Sequence, residues 1–478
     1  EMKRGPHTMR PLATLPAYAG LQPGNASRRA FLKRAGLLSA LGPTLPWALN
    51  LAAIGEAAAQ TASDYKAMVC VFLLGGNDYA NTLVPYDTDS WNTYNGFRSN
   101  IALARDTLTA TALSPAAALP GGVQYALNPN LAALLPIFNA GQMAPVLNIG
   151  TLMAPTSKAQ YTAKSVPLPP KLFSHNDQQS YWQASLPEGA TSGWGGRVGD
   201  LFASGNGNAT FTSISATGNA VFLAGRTAMQ YQVSTTGPVP VNGIRANLFG
   251  SSAASTALRA LMTQPRAHAF EAAHTAVSKR SVDAYDQLNT ALGGVNLATP
   301  YPTGNNLADQ LKIVARIIGA RGALGARRQV FFVSLGGFDL HDGIPTQHPG
   351  LLTNVAGALA AFHASMQELG VGNQVTAFTA TDFGRTLVSN TDGSDHGWGG
   401  MQFVLGGAVR GKSFVGTAPV LANNGPDDVG QGRLLPTISV EQFAATLAQW
   451  FGVSAQDQLA LLPNLANFST RDLGFLSG

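Results

Sequence analysis

The chain alternates short, β-rich apolar runs with longer stretches of helical periodicity, and this alternation limits the possible folds. Six runs predict strands over residues 68–74, 144–150, 211–217, 329–335, 374–380 and 402–407. Apolar residues spaced by three and four predict helices over 127–140, 305–320, 351–370 and 440–451, and another near 256–292. We expect an α/β fold in which helices cover both faces of a mostly parallel sheet. It should form one domain over residues 60–478, with an insertion around 218–300.

Residues 1–59 predict a twin-arginine signal peptide. The segment SRRAFLK precedes an apolar stretch, and the small-residue segment EAAAQ suggests cleavage after Ala59. Two alternatives stay open: an uncleaved membrane anchor, although Pro43 and Pro46 interrupt the apolar stretch, and a basic amphipathic helix. We expect a periplasmic or secreted protein that uses the twin-arginine route.

The formal net charge of +5 does not belong to the predicted domain. The excess lies before residue 60, in Lys3, Arg4, Arg10, Arg28, Arg29, Lys33 and Arg34 against Glu1 and Glu56. The remainder is formally neutral, which argues against nucleic acid or an anionic membrane surface as the main partner. Contact with a membrane is expected only through an uncleaved signal. Cys70 is the single cysteine, so no intramolecular disulfide can form.

Three predicted strands end in a short glycine-bearing turn that carries an aspartate. The turns are LLGGND, SLGGFD and TATDFG, and their acids are Asp78, Asp339 and Asp382. Because ligands of open α/β sheets bind beyond the carboxyl ends of the strands, we expect these acids to meet at one edge. Each aspartate taken alone could instead cap a turn or a helix.

Three of the eight histidines follow these acids in sequence: His341, His348 and His396. Carboxylates and neutral imidazoles together suit a divalent ion such as Zn²⁺, Mn²⁺ or Ca²⁺. Carboxylates gathered in one cleft would repel one another without a cation. We therefore predict a metal cleft with five ligands: Asp78, Asp339, His341, Asp382 and His396.

Group transfer at such a cleft calls for a nucleophile, and Ser174 in LFSHNDQQSYWQ is the leading candidate, followed by Thr82. Neither lies in a G-x-S-x-G motif, and Ser174 could simply cap the helix that follows it. His175 could be a ligand, a base or a donor to a ligand. Arg385 could clamp an anionic oxygen or pair with one of the acids. Ser174, His175 and Arg385 are the candidate catalytic residues.

Several motifs keep a specific order over roughly residues 65–415: FLLGGNDYANTLVPY (72–86), FSHNDQQSYWQ (173–183), GWGGRVG (193–199), GGFDLHDG (336–343) and the segment 378–412. With the leader, they resemble the DUF1501 family of exported bacterial proteins, distant relatives of the alkaline phosphatase and sulfatase superfamily. The resemblance implies a three-layer, alkaline phosphatase-like α/β/α sandwich. Its active site would lie at the carboxyl edge of the sheet, usually with two metals and a Ser or Thr nucleophile.

The resemblance also implies roles by position. Asp78 is similar to the acid after the first strand, and Ser174 to the nucleophile region. Asp339 and His341 resemble the first-metal pair, Asp382 the late-strand acid and His396 the final histidine. Two departures speak against a complete two-zinc site. Phe383 stands where many members have a histidine, and Asp339 and His341 are closer in sequence than their counterparts in the phosphatases.

Two hypotheses of different class follow. The first is an exported metal-dependent hydrolase or transferase acting on a phosphate or sulfate ester, with a small anionic ester or glycan as substrate. The second is a non-catalytic exported structural or interaction protein that keeps the fold and binds another exported protein. The acids and histidines favour the first hypothesis. Phe383 and the Ala/Gly-rich middle region favour the second.

Replacing both Arg28 and Arg29 by lysine should leave the precursor in the cytoplasm, because the paired arginines are the part of the signal that this route recognises. Cell fractionation followed by immunoblotting measures the outcome. An Arg10→Lys variant, altered outside the motif, should be exported normally. Unchanged export of the double variant would contradict the predicted signal.

Overall fold

The computed structural model describes residues 64–245 and 247–477, so the predicted signal peptide lies outside the described residues. The strands are β1 (Lys66–Leu73), β2 (Leu83–Pro85), β3 (Tyr125–Leu127), β4 (Met143–Gly150), β5 (Ser213–Ser215), β6 (Tyr231–Ser234), β7 (Gly237–Pro238), β8 (Arg328–Leu335), β9 (Val375–Thr381), β10 (Arg385–Ser389), β11 (Ser394–His396), β12 (Gly400–Leu405) and β13 (Ile438–Ser439). The α-helices are α1 (Thr88–Arg98), α2 (Leu135–Asn139), α3 (Lys158–Ala163), α4 (His175–Ala184), α5 (Trp194–Phe202), α6 (Ser252–Thr263), α7 (Ala269–Gly293), α8 (Asn306–Gly319), α9 (Ile344–Glu368), α10 (Val440–Phe451) and α11 (Ala455–Leu461). Within these ranges, no helix combines the length and the apolar character that a bilayer crossing requires.

The central sheet has nine strands in the order β13-β4-β12-β9-β1-β8-β5-β6-β7. Strand β1 lies in the middle and runs parallel to β8 on one side and to β9 on the other. Strand β12 runs against both of its neighbours, β9 and β4, and β7 runs against β6 at the edge. The sheet is therefore mostly parallel, as the sequence predicts.

Both faces of the sheet are buried, and the central strand shows this residue by residue. Ala67, Val69 and Val71 pack into one apolar core with α8 and α9, whereas Met68 and Phe72 pack into a second core with α5 and α10. A parallel strand covered on both sides reads as an unbroken apolar run, which is why MVCVFL shows no polar alternation. The predicted three-layer α/β/α sandwich is confirmed.

Most predicted elements lie where the sequence places them. The predicted strands correspond to β1, β4, β5, β8, β9 and β12, although β5 is only three residues long. The predicted helices 305–320, 351–370 and 440–451 correspond to α8, α9 and α10. Helix α9 begins earlier than predicted, at Ile344, and keeps Pro349 inside its first turns.

Two predicted helices are wrong in extent, and proline explains both. Residues 127–140 contain a 3₁₀ segment (Pro129–Leu134) and the short α2, because Pro129 and Pro136 each remove a backbone donor. The helix predicted near 256–292 is two helices, α6 and α7, since Pro265 follows directly on the C-cap Gln264. Residues 218–300, the predicted insertion, hold these helices together with β6 and β7.

Phe378→Ala should lower the free energy of unfolding by about 3–5 kcal/mol, because this ring fills the core between the sheet and the helices. Phe378 is 1% exposed and lies 5.5 Å from Phe443 and 5.8 Å from Trp194, measured between ring centroids. Denaturant unfolding followed by circular dichroism gives the value. Phe270→Ala is the control, since that side chain is 83% exposed and should cost little. Equal losses in the two variants would contradict this description of the core.

Candidate metal centre

The sheet brings three loops to one edge. Because β1 pairs in register and in parallel with β8 and β9, Leu73 lies beside Leu335 and Thr381, and the three strands end together. The turns that follow carry Asp78, Asp339 and Asp382. The β10–β11 hairpin then returns across this edge and places Arg385 opposite His396. The predicted convergence of the strand ends is therefore present.

Three imidazoles lie close to one carboxylate oxygen, Asp339 Oδ1. Asp339 Oδ1 lies 3.2 Å from His341 Nε2, 3.3 Å from His396 Nε2 and 3.4 Å from His175 Nε2. The Nε2 atoms of His341 and His396 are 2.8 Å apart. These residues come from three separate segments: the loop after β8, the first residue of α4 and the last residue of β11. We call Asp339, His175, His341 and His396 the Asp-His cluster.

Three members of the Asp-His cluster are close enough to hold one metal ion: ligand atoms of His175, Asp339 and His396 all lie within 4.8 Å of one another, and His341 is not part of this group. His nitrogens and carboxylate oxygens that bind zinc at about 2.0–2.1 Å in a tetrahedron stand about 3.3–3.4 Å apart. The distances from Asp339 Oδ1 to His396 Nε2 and His175 Nε2, 3.3 and 3.4 Å, match this edge, whereas the 2.8 Å contact between His341 and His396 is shorter. His175 Nε2 is buried and has no hydrogen-bond partner, which a metal bond would supply.

Each imidazole is held through its other nitrogen. His175 Nδ1 lies 2.6 Å from Asp382 Oδ2, and His341 Nδ1 lies 3.2 Å from Asp395 Oδ1. His396 Nδ1 lies 2.7 Å from the carbonyl oxygen of Phe173. Histidine ligands of metals commonly donate Nδ1–H to a carboxylate or a carbonyl, which leaves Nε2 free to bind the ion. The cluster has this arrangement at all three histidines.

Charge favours the metal-binding forms of two of these groups. Burial alone would raise the pKa of Asp339, but the hydrogen bond and charge of Arg385 hold it below its usual value. Burial lowers the pKa of His396, and the neighbouring His175 and Arg385 add to this. The hydrogen bond that His175 makes to the Asp382 carboxylate raises the pKa of His175, and burial offsets part of this rise. At neutral pH, Asp339 is a carboxylate and His396 is a neutral imidazole.

Two predicted ligands have other roles in the structure. Asp78 is 1% exposed and binds Arg98 Nη2 at 2.6 Å, Ser394 Oγ at 2.7 Å and a backbone N–H, so its oxygens face protein donors. Burial would raise the pKa of Asp78, but Arg98 keeps it below the usual range. Asp382 faces the Nδ1 side of His175 and accepts from Gln179 as well. Asp382 therefore orients the ring of His175 through Nδ1, the nitrogen that does not face Asp339.

Arg385 is not presented to a substrate, in contrast to the predicted oxyanion clamp. Its guanidinium is fully buried and donates to the carbonyl oxygens of Gly75 and Ser394 and to Asp339 Oδ1 at 3.0 Å. These partners come from the loops after β1 and β8 and from β11. The structure therefore assigns the other alternative, the ion pair, because burial leaves the arginine no open face.

The two hydroxyl candidates differ. Thr82 is buried and donates to the carbonyl oxygen of Asp78, which makes it part of the turn. Ser174 is partly exposed at the start of α4 and donates to Asp177 Oδ2 at 3.0 Å. It immediately precedes His175 of the cluster.

Sequence reasoning left the role of His175 open and missed Asp395 as the partner of His341. The sequence places His175 at the start of a helix within a polar motif. That position does not reveal that Asp339 faces its ring. Phe383 packs against His175 and His396, with ring centroids 4.9 and 4.7 Å apart. An apolar ring thus forms one side of the Asp-His cluster. His348 is buried away from the cluster and bonds to Asn77 Oδ1.

The family model described as "Protein of unknown function (DUF1501)" matches residues 65–462. A search of curated proteins finds no match. Among solved structures, the chain is similar to the lipoteichoic acid synthase LtaP from Listeria monocytogenes (9% identity, 87% of this chain, 81% of that chain, TM-score 0.33). It is also similar to the PsFucS1 sulfatase from Pseudoalteromonas sp. (9%, 87%, 73%, 0.35) and the C-terminal periplasmic domain of EcEptC from Escherichia coli (10%, 87%, 87%, 0.34).

Asp78→Asn should destabilise the fold by about 3–5 kcal/mol, because it leaves the buried Arg98 without its counter-charge. The loss should be the same with and without a chelator, since Asp78 does not face the Asp-His cluster. Thermal unfolding under both conditions measures this. Asp283→Asn is the control, because its pair with Lys279 is exposed and contributes little. A loss that disappears on chelation would restore Asp78 as a ligand.

Proposed function

The chain belongs to the DUF1501 family, and we propose that it binds one divalent metal ion, Zn²⁺, to hydrolyse or transfer a phosphate or sulfate ester. The ligands would be His175, Asp339 and His396 of the Asp-His cluster, with His341 beside them. The observation that carries the proposal is the pair of tetrahedral spacings from Asp339 Oδ1 to His175 and His396. Imidazoles with one carboxylate suit zinc, whereas Ca²⁺ takes six to eight oxygens and Mn²⁺ favours carboxylate and water.

The solvent exposure of the Asp-His cluster supports a catalytic metal site rather than a structural one. The side chains of Asp339 and His341 are 47% and 46% exposed, so a small molecule can reach the ion's position from solvent. A bound ion there would act as a Lewis acid on an ester oxygen. Structural zinc sites are closed and keep no open position. Three protein ligands would leave the fourth position of a zinc tetrahedron for an ester oxygen.

Residues of the chain would orient the ligand His175 and the group that attacks the ester. Asp382, held by Gln179 and the N–H of Gly75, fixes the ring of His175. Ser174 or a water molecule would attack the ester, and the substrate would be a small anionic ester or a glycan ester. Lys171 is the exposed cation on the turn before Ser174 and can approach an anionic group. The protein would act in the periplasm or outside the cell, after export by the twin-arginine route.

One observation favours a second function, a non-catalytic exported protein with a structural metal. Phe383 closes one side of the Asp-His cluster with an apolar ring, and His341 Nε2, 3.2 Å from Asp339 Oδ1, stands beside the position that a substrate would need. In that case the ion would stabilise the fold, and the protein would act by binding an exported partner.

Protein purified without chelator should contain one zinc ion per chain, measured by inductively coupled plasma mass spectrometry. Asp339→Ala and His396→Ala should each weaken zinc binding at least tenfold, because each removes a ligand. His274→Ala is the matched control, since this histidine is exposed on α7 and outside the cluster. No bound metal, with unchanged thermal stability in both ligand variants, would overturn the metal site.

A panel of p-nitrophenyl phosphate, p-nitrophenyl sulfate and a phosphodiester then separates the two functions. The proposed hydrolase should act on at least one ester, lose activity with a chelator and regain it with zinc. Stoichiometric zinc without hydrolysis, together with a stable complex recovered from the periplasm, would favour the non-catalytic protein instead.

A further inference from the structure

The carbonyl oxygen that orients His396 belongs to a residue with an unfavourable backbone conformation. Phe173 has a φ of 72°, in the left-handed region that residues other than glycine rarely adopt. Such a conformation costs free energy and persists only where the surrounding contacts enforce it. The direction of the Phe173 carbonyl depends on these dihedrals, and its oxygen accepts the hydrogen bond from His396 Nδ1 at 2.7 Å. A contact that holds Phe173 in place therefore also orients His396.

Arg433 contacts both partners of this hydrogen bond. Its guanidinium carbon lies 4.9 Å from the centroid of the Phe173 ring, which is a cation–π contact. Its Nε donates to the carbonyl oxygen of His396 at 2.8 Å. A planar guanidinium can stack on a ring and donate hydrogen bonds in its own plane at the same time, whereas an ammonium group cannot. Arg433 thus joins the residue that supplies the carbonyl to the histidine that this carbonyl orients.

The loop that carries Arg433 is itself fixed in place. The N–H of Leu387 in β10 donates to the carbonyl oxygen of Gly432 at 3.1 Å. The buried Asp428 carboxylate accepts the N–H of the same glycine at 2.8 Å. The guanidinium therefore extends from a backbone that is tied to the hairpin of His396. From that position Arg433 can hold the less favourable turn at Phe173.

We propose that Arg433 is a positioning residue that keeps His396 in the form that binds the ion. Its contact with the Phe173 ring holds the left-handed turn. The Phe173 carbonyl then keeps the proton of His396 on Nδ1 and leaves Nε2 free for the ion. The proposal rests on the proposed metal site, but it does not depend on which ester is cleaved. Arg433 acts through His396 and is not itself a ligand.

A purely electrostatic role for Arg433 would change zinc affinity in the opposite direction. A cation that contacts a ligand residue repels a metal ion, so removal of its charge alone would tighten zinc binding. Loss of a positioning residue instead weakens binding, because the partners that orient metal ligands contribute about 10- to 100-fold to metal affinity. The direction of the change in zinc affinity therefore separates the two roles.

Zinc affinity of the full chain, measured by competition with a chromophoric chelator, should fall about 10- to 100-fold in Arg433→Ala. Arg433→Lys should also bind zinc more weakly than the wild-type protein, because it keeps the charge but loses the planar fork. Arg105→Ala is the matched control and should bind zinc normally. Arg105 Nε likewise donates to a carbonyl oxygen, that of Tyr86 at 2.8 Å, and its guanidinium lies 5.1 Å from that ring. Unchanged or tighter zinc binding by Arg433→Ala would overturn the proposal.

Nitrogen NMR of protein labelled with ¹⁵N-histidine tests the same step without metal. In the metal-free wild-type protein, neutral His396 should be the Nδ1–H tautomer, and its signals are those missing from His396→Gln. In Arg433→Ala both tautomers should be populated, because the Phe173 carbonyl no longer faces Nδ1. Melting temperatures of the metal-free variants distinguish a lost fold from a lost orientation. An Nε2–H tautomer in the wild-type protein would contradict the proposal without any variant, as would an unchanged tautomer in Arg433→Ala.

The failure of this proposal differs from the failure of the proposed function. If the wild-type protein binds one zinc ion and Arg433→Ala binds it equally well, the role of Arg433 is excluded and the metal site stands. If the wild-type protein binds no zinc, the proposed function fails. The tautomer of His396 then still decides whether Arg433 orients the ring.

Discussion

The site depends on one buried cation. The Arg385 guanidinium has no exposure and ties three chain segments together: the loop after β1, the loop after β8 and strand β11. Burying a charge is costly unless hydrogen bonds and a counter-charge compensate, and here carbonyl oxygens and Asp339 do so. Because Asp339 Oδ1 accepts from Arg385, the same oxygen is held where the three imidazoles can surround it. Without this anchor, Asp339 Oδ1 would lose the donor that fixes its position among the imidazoles.

A second buried ion pair supports the first. Asp78 and Arg98 join the loop after β1 to helix α1, and Arg98 also donates to the carbonyl oxygens of Thr386 and Leu387 in β10. Ser394 contacts both Asp78 and Arg385 and so links the two pairs. Beneath the exposed cluster lies a buried layer of charges that fixes the hairpin carrying His396. The network leaves one donor unpaired, Arg98 Nε, which is buried and has no hydrogen-bond partner among the described residues.

The sequence predicts the sheet well because its strands are buried on both faces and stand out as apolar runs. It also places three acids at one edge, since parallel strands end together. It cannot say which acid faces outward, because that depends on partners far along the chain. Asp78 meets Arg98 and Ser394, and the distant Ser394 leaves no local signal near Asp78. The role of His175 is hidden in the sequence for the same reason, because its partner Asp382 is 207 positions away in the chain.

The parallel pairing of β1 with distant strands affects the order in which the protein folds. Thr381 bonds to Leu73 across 308 positions of sequence, and β1 pairs with β8 over a comparable distance. Contacts between residues so far apart in sequence form late in folding, because the entropy cost of closing a long loop comes before the contacts can stabilise the chain. The Asp-His cluster draws on three segments that meet only when these pairings exist. An ion at the Asp-His cluster would therefore bind after these pairings have formed, and it would not guide the early folding of the chain.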